Sequence, residues 1–292
     1  MLSVLTALIT PFDTTGSVDY ISLEKIIQFQ IDSGCGIVLF GTTGECPTLN
    51  KEEKKLILEL VKNKYPNNLN DFVIGVGGNN TLDCITNITE AVNYGFEIFM
   101  ITCPYYNKPS QKGLEEHFNS ICNIFPSYSF IIYNIPGRTS VNLLPQTFKN
   151  ICDNNLNIVG IKEASGDLNQ MILVKKLCPK ILLYSGDDIL LIPTLSIDGF
   201  GVVSVISNLF PKEVNSIVEL YKTYNQDKAF NEYLKFDELI RLMFIETNPV
   251  PIKFIMCSVG LIQTPEVRLP LVQMDLSNKN KILNWYNNNI IN

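Results

Sequence analysis

Short runs of Val, Ile, Leu and Phe recur along the chain, each bounded by Gly, Pro, Asn or Ser and separated by longer stretches with apolar residues at helical spacing. The runs cover residues 4–9, 36–40, 72–76, 96–101, 130–133, 158–162, 181–184 and 200–205. They are nearly continuous in apolarity rather than alternating, as strands covered on both faces are. The intervening stretches are long enough for right-handed helical crossovers, so neighbouring strands should run parallel. Helix starts can be read in these connectors. Asn50-Lys-Glu-Glu53 sets an N-cap three residues before an acid, and Asn80-Thr-Leu-Asp83 repeats the pattern less strictly. Pro211 suits a first helical position ahead of Val214, Ile217, Val218 and Tyr221. Eight strand–helix units of this kind predict an α/β protein, a (β/α)8 TIM barrel.

After about residue 225 the strand signals stop, and 229–244, 251–259 and 279–290 read as helices. The expected organisation is a barrel over residues 1–224 with a C-terminal helical extension over 225–292. The 292-residue length would suggest two domains at the usual ~150 residues each, but barrels commonly exceed that as one unit. An open doubly wound sheet is the competing arrangement. It is weakened because Gly75-Val-Gly77-Gly-Asn-Asn80 lacks the third glycine of a dinucleotide fingerprint.

Composition narrows the chemistry. With 23 basic and 29 acidic side chains the net charge is −6, and no long Lys/Arg block is present, so nucleic acid is not an expected partner. No apolar run approaches the ~18 residues of a membrane span, and the N-terminus reaches Pro11 without a basic segment, so no membrane partner and a cytoplasmic protein are expected. Eight cysteines without a CxxC pair read as small buried hydrophobes in a reducing compartment. His117 is the sole histidine, which excludes multi-histidine zinc sites and leaves one candidate for a His-built triad; on a probable helix with no partner arrangement nearby it reads as a surface or packing residue.

In a barrel of this type the active site forms where the strands end, and the chemically suggestive residues fall there. The exits carry Gly41-Thr-Thr-Gly-Glu45, Pro104-Tyr-Tyr-Asn107, Tyr133-Asn-Ile-Pro-Gly-Arg-Thr139, Gly160-Ile-Lys-Glu-Ala-Ser-Gly166, Ser185-Gly-Asp-Asp188 and Ser204-Val-Ile-Ser-Asn208. Lys162 closes an apolar run, where desolvation would lower its pKa and make the amine nucleophilic toward a carbonyl. Taken alone, a lysine at a strand end more often snorkels to solvent. Tyr133 and Tyr106 are either rim packing or proton relays. Glycines in the 41–44 loop allow close backbone approach to a small carboxylate, and Arg138 is either a solvated loop charge or a clamp for a second one.

Taken in order, these segments, together with Ala7-Leu-Ile-Thr-Pro11, Glu246-Thr-Asn-Pro-Val-Pro-Ile-Lys253 and Arg268-Leu-Pro270, resemble the dihydrodipicolinate synthase family of pyruvate-dependent class I aldolases over nearly the whole chain. The resemblance implies that Lys162 forms a Schiff base with pyruvate, that Tyr133 moves protons, and that Thr42 and Tyr106 complete a relay. In the family the tyrosine matching Tyr106 comes from a neighbouring subunit. Thr43 would hold the pyruvate carboxylate, Gly186 and Val203 would line the pocket, and Arg138 would bind the carboxylate of L-aspartate 4-semialdehyde. The implied product belongs to lysine and diaminopimelate biosynthesis. No cofactor and no metal are implied, and family members are usually homotetramers built as dimers of dimers, though dimers occur. Sugar-acid lyases of the same superfamily generally lack the arginine that Arg138 matches. A barrel that binds a keto acid without catalysis is the remaining alternative.

One implied site departs from feedback-inhibited relatives. The lysine effector site would map to Cys46, Pro47, Lys51, Lys54, Asn79, Asp83 and Tyr105, with histidines commonly where Lys51 and Lys54 stand. Two ammonium groups beside a cationic effector repel it, the alternative being that Lys51 and Lys54 are solvated charges on the first turns of a helix. Weak or absent inhibition by L-lysine is therefore expected; half-inhibition below millimolar lysine in a steady-state assay would contradict this.

Overall fold

The computed structural model of the chain describes residues 1–291. Eight strands, β1 (Val4–Ala7), β2 (Gly36–Leu39), β3 (Phe72–Gly75), β4 (Ile98–Thr102), β5 (Ser129–Asn134), β6 (Ile158–Glu163), β7 (Leu182–Ser185) and β8 (Gly201–Ser204), close into a barrel in sequence order. All eight predicted strands are present, their ends displaced by no more than two residues. The chain folds as two compact units, Tyr65–Val203 and Met1–Lys64 together with the chain from Ser204 onward.

In the unit that holds both termini, β1 pairs parallel with β2 through Leu5↔Gly36, Thr6↔Ile37 and Ala7↔Val38. Helix α1 (Tyr20–Asp32) starts at Asp19, whose carboxylate accepts from the Ile21 and Ser22 amides, and it buries Leu23, Ile26 and Ile27 at helical spacing. Helix α2 (Lys51–Lys64) starts with the expected capping box. Asn50 N donates to Glu53 Oε2 and Glu53 N donates to Asn50 Oδ1, each at 2.9 Å, an arrangement that contributes on the order of 1 kcal/mol.

The unit Tyr65–Val203 carries α3 (Thr81–Asn93), capped by Asn80 as expected, α4 (Gln111–Ile124), the single turn α5 (Pro136–Thr139), α6 (Pro145–Asn154), α7 (Leu168–Leu177) and α8 (Leu191–Ser196). Their inner faces bury Cys84, Ile88 and Ala91 from α3, Leu114, Phe118 and Ile121 from α4, and Phe148 and Ile151 from α6. Of the two readings of His117, packing is the observed one. It is buried on α4, with Nδ1 2.9 Å from Thr81 Oγ1, and burial pulls its pKa down to about 4, so the ring is neutral at pH 7. All eight cysteines are free thiols; five are buried, as expected, and Cys46, Cys152 and Cys257 are half-buried. Among the described residues no helix is long and apolar enough to cross a membrane.

Past β8 five helices follow, α9 (Pro211–Lys222), α10 (Gln226–Leu234), α11 (Asp237–Leu242), α12 (Val250–Ser258) and α13 (Leu276–Tyr286), the last two separated by seventeen residues without a helix. The single helix expected over 229–244 is two. The backbone tightens to three-residue hydrogen bonds at Lys235 and Phe236, donated to Glu232 and Tyr233, and the break lets Phe236 pack 5.2 Å from the Phe210 ring. A tertiary contact thereby overrides a local period that both halves would satisfy. The last helix begins three residues earlier than expected because Asp275 caps it through the Ser277 amide.

Three segments that carried the family resemblance meet in this terminal unit. Lys253 of α12 is fully buried, with Nζ donating to Glu45 Oε1 at 2.5 Å and to Glu266 O at 2.8 Å and lying 4.0 Å from the centroid of the Phe12 ring. Glu45 Oε2 accepts from the Arg268 amide, and the Arg268 guanidinium binds Gly16 O, Thr48 O and Glu53. Removing one member of a buried ion pair leaves the other charge uncompensated. Lys253→Met is therefore expected to lower unfolding free energy by about 3–5 kcal/mol, read by urea denaturation. Lys253→Met with Glu45→Gln should regain most of that loss; a double variant as unstable as the single one would contradict the account.

Candidate active site

The exits of β5 and β6 set the geometry. Their parallel register places Tyr133 beside Lys162 and Asn134 beside Glu163. Side chains alternate along a strand, so Lys162 and Glu163 project to opposite faces. Lys162 is 7% exposed, and its Nζ lies 4.0 Å from the centroid of the Tyr133 ring. It does not snorkel to solvent. Burial pulls its pKa down to about 8, against the opposing pull of Asp187 and Asp188, while the Arg138 charge lowers it further. Burial likewise pushes the Tyr133 phenol well above its ordinary value, and the Arg138 charge only partly offsets that. The pair is thus an amine that loses its proton near neutrality beside a phenol that keeps its own.

Behind the pair lies a buried polar cluster. The Glu163 carboxylate accepts from Asn134 Nδ2 at 3.0 and 3.2 Å, from Gln170 Nε2 at 3.0 Å and from the Ser165 amide at 2.7 Å. Asn134 also donates to Asn142 Oδ1 and accepts from the Leu143 amide. These bonds tie the two strand ends together on the face opposite Lys162 and Tyr133. Gly186, at the β7 exit, donates its amide to Glu163 O at 2.8 Å. A Cβ there would fall 2.4 Å from Ala164 Cβ and 3.2 Å from Lys162 Cε, so any side chain would push on the lysine stem. Asp187 follows, its carboxyl pKa raised by burial and partly restored by Lys162.

The other expected residues have definite positions. Arg138 is exposed in the α5 turn, and Val203 is buried in β8. In the terminal unit, the loop after β2 turns back on itself through Gly44 N to Gly41 O and Glu45 N to Thr42 O. Thr43 is buried, Thr42 half-buried, and Asn248 Nδ2 donates to Thr43 Oγ1 at 2.8 Å. Gly44 packs so closely that a Cβ would meet Leu8 O at 3.0 Å, and Thr10 Oγ1 donates to its carbonyl at 2.7 Å. Tyr106 stands 86% exposed with a left-handed backbone, φ 70°, and so is not packed into its own chain. Lys51 and Lys54 lie in the first turns of α2, and Lys54 is close enough to Cys46 to offset part of the rise that burial imposes on that thiol. Asn79 and Asp83 flank the start of α3, and Tyr105 is exposed.

Asn134, Glu163, Asp187, Glu45, Asn248 and Lys253 had no assigned role from sequence. Their signal was present, since each lies in a strand exit or a resemblance-bearing motif, but spacing does not say which neighbour a side chain faces. Among the described residues no cluster of three or more His, Cys, Asp or Glu side chains is arranged to hold a metal ion. A near-neutral buried amine with an adjacent phenol is equipped to condense with a carbonyl and to move the protons that this requires.

The model of the dihydrodipicolinate synthetase family matches residues 1–287. A 4-hydroxy-tetrahydrodipicolinate synthase of Clostridium tetani is 43% identical over 276 residues, spanning 94% of this chain and 92% of its own. One from Endomicrobium trichonymphae is 41% identical over 280 residues, spanning 96% and 95%. The crystal structure of dihydrodipicolinate synthase from Aquifex aeolicus superposes with a TM-score of 0.93 at 33% identity, covering 99% of this chain and 98% of that one.

The Lys162 environment has a pH signature. Labelling of Lys162 by trinitrobenzenesulfonate, followed by peptide mass spectrometry, should accelerate about tenfold per pH unit up to its pKa of about 8 and level off above it. Asp187→Asn removes a charge that favours the ammonium form, so the midpoint should move to lower pH; a midpoint near 10.5 in the unaltered protein would refute the desolvation account.

Proposed function

The chain belongs to the dihydrodipicolinate synthetase family, and from that premise we propose that it condenses pyruvate with L-aspartate 4-semialdehyde to give 4-hydroxy-tetrahydrodipicolinate, a lyase of the class I aldolase type serving lysine and diaminopimelate supply. The observation that carries this reading is the buried Lys162 amine 4.0 Å from the Tyr133 ring.

Lys162 Nζ attacks the pyruvate ketone as the free amine. Tyr133 donates the proton with which the carbinolamine oxygen leaves as water, and the protonated imine remains. That cation draws electrons from the neighbouring methyl group, which gives up a proton to become an enamine. The enamine carbon attacks the semialdehyde carbonyl, whose oxygen takes a proton. The amine of the new adduct then adds to the imine carbon and expels Lys162, closing a six-membered ring. A phenol with a strongly raised pKa is suited to donate rather than to rest as an anion.

Thr43, in the tight 41–45 loop, holds the pyruvate carboxylate, with Thr42 and Tyr106 extending the proton relay. Gly186 and Val203 shape the pocket wall. Arg138 binds the semialdehyde carboxylate; its exposed position in the α5 turn suits a group that meets the second substrate. Tyr106 reaches solvent rather than its own chain, which supports its use by a second copy in a homodimer, with dimers pairing into a tetramer. The Lys253–Glu45 pair supports reading the chain as a barrel over 1–224 with a helical extension beyond it. Eight free thiols suit the cytoplasm. No cofactor is assigned.

A coupled assay decides between substrates. Pyruvate with the semialdehyde should turn over, N-acetylneuraminate and 2-keto-3-deoxygluconate should not be cleaved, and Lys162→Ala should abolish both turnover and borohydride trapping of pyruvate on that peptide. Arg138→Ala should lower kcat/KM for the semialdehyde by on the order of a hundredfold, the worth of a lost charged contact, while pyruvate trapping persists. Cleavage of a sugar acid in preference to the synthase reaction would overturn the reading.

A further inference from the structure

Asn248 is buried, and its Nδ2 donates to the hydroxyl of the buried Thr43 at 2.8 Å. A threonine hydroxyl has one hydrogen to give and two lone pairs with which to accept. The Asn248 amide occupies one lone pair, and among the described residues none accepts the Thr43 hydrogen. That hydrogen is left for a ligand.

The same amide leaves its Oδ1 buried without a hydrogen-bond partner. Buried unpaired polar atoms are few, and each calls for a reason. Turning the amide over would pair Oδ1 with the Thr43 hydrogen, but it would orphan the Nδ2 hydrogens instead, and unpaired buried N–H groups are rarer than under-satisfied carbonyl oxygens. The observed orientation therefore keeps Thr43 a donor. The two segments are also joined five residues further along, where Lys253 donates to Glu45 Oε1, and Thr10 holds the Gly44 carbonyl. Asn248 and Thr43 thus face each other across a rigid double clasp.

We propose that Asn248 is a positioning residue that fixes the Thr43 hydroxyl as a hydrogen donor to the carboxylate of the keto-acid substrate. This rests on the reading in which Thr43 holds the pyruvate carboxylate. The role is one of polarity: an amide donor behind the hydroxyl turns the hydroxyl outward as a donor, whereas an acceptor behind it would draw that hydrogen inward and present lone pairs to an anion.

Titrating pyruvate in borohydride trapping, with steady-state kinetics on the full chain, tests the proposal. Asn248→Ala should raise the pyruvate concentration for half-maximal trapping on the order of tenfold, the worth of a contact to a charged group. Asn248→Asp should raise it further, since its carboxylate captures the Thr43 hydrogen. KM for the semialdehyde should stay within about twofold. In a Thr43→Val background the hydroxyl is already gone, so adding Asn248→Ala should cost no more than about a further twofold. Asn248→Ser, polar but too short to reach Thr43, gives the same comparison should the alanine variant fail to fold. An unchanged pyruvate requirement in Asn248→Ala, or an equal penalty with and without the Thr43 hydroxyl, overturns the inference while leaving the proposed function standing. Absence of pyruvate trapping at Lys162 in the unaltered protein overturns both.

Discussion

Holding an amine out of water at the end of a strand is the constraint around which the Tyr65–Val203 unit is organised. An ammonium group is poorly tolerated there, so the folded chain presents Lys162 in an environment that favours the neutral form. The opposing carboxylates Asp187 and Asp188 keep that shift moderate. The cost of burying Lys162 is accepted because the strand register brings Tyr133 to the same level, and because Gly186 leaves room for the lysine stem. Neither partner could be moved by one residue, since a shift of one on a strand sends a side chain to the other face.

The same unit shows how a polar interior stabilises such a pair. Glu163 accepts hydrogen bonds from two amide side chains and one backbone amide on the face turned away from Lys162. A buried carboxylate with its acceptor sites filled rigidifies its surroundings, and here it fastens β5 to β6 immediately behind the reactive groups. The terminal unit uses a related device with charge on both sides. Lys253 and Arg268 converge on Glu45, both lie against the Phe12 ring, and the 41–45 loop is thereby anchored from a segment two hundred residues away in sequence. Buried ion pairs contribute little net stability compared with apolar residues; here the pair joins the 41–45 loop to α12.

Much of this was legible in the order of residues. Eight continuous apolar runs named the strands, and the Asn50–Glu53 and Asn80 caps named helix starts, because both signals are local: a strand covered on both faces must be apolar, and a helix end must satisfy its own amides. Lys162, Tyr133 and Arg138 stood out because their motifs sit at strand exits, and the resemblance then attached roles to them. The 229–244 segment misled because its period fits one helix as well as two, whereas the chain turns at Lys235 and Phe236 and packs Phe236 on Phe210. His117 and Lys162 each had two open readings that burial alone could separate.

The sequence by itself determined the strands, several helix starts, the family and the type of reactive group, since each is written in local pattern or in motifs compared one position at a time. Only the tertiary structure decided which side chains face one another. That Glu163 backs onto Asn134, that Lys253 neutralises Glu45, and that Asn248 stands behind Thr43 are consequences of chain segments meeting in space. Burial, hydrogen-bond direction and pKa depend on all neighbours at once, and those neighbours are supplied by packing rather than by proximity along the chain.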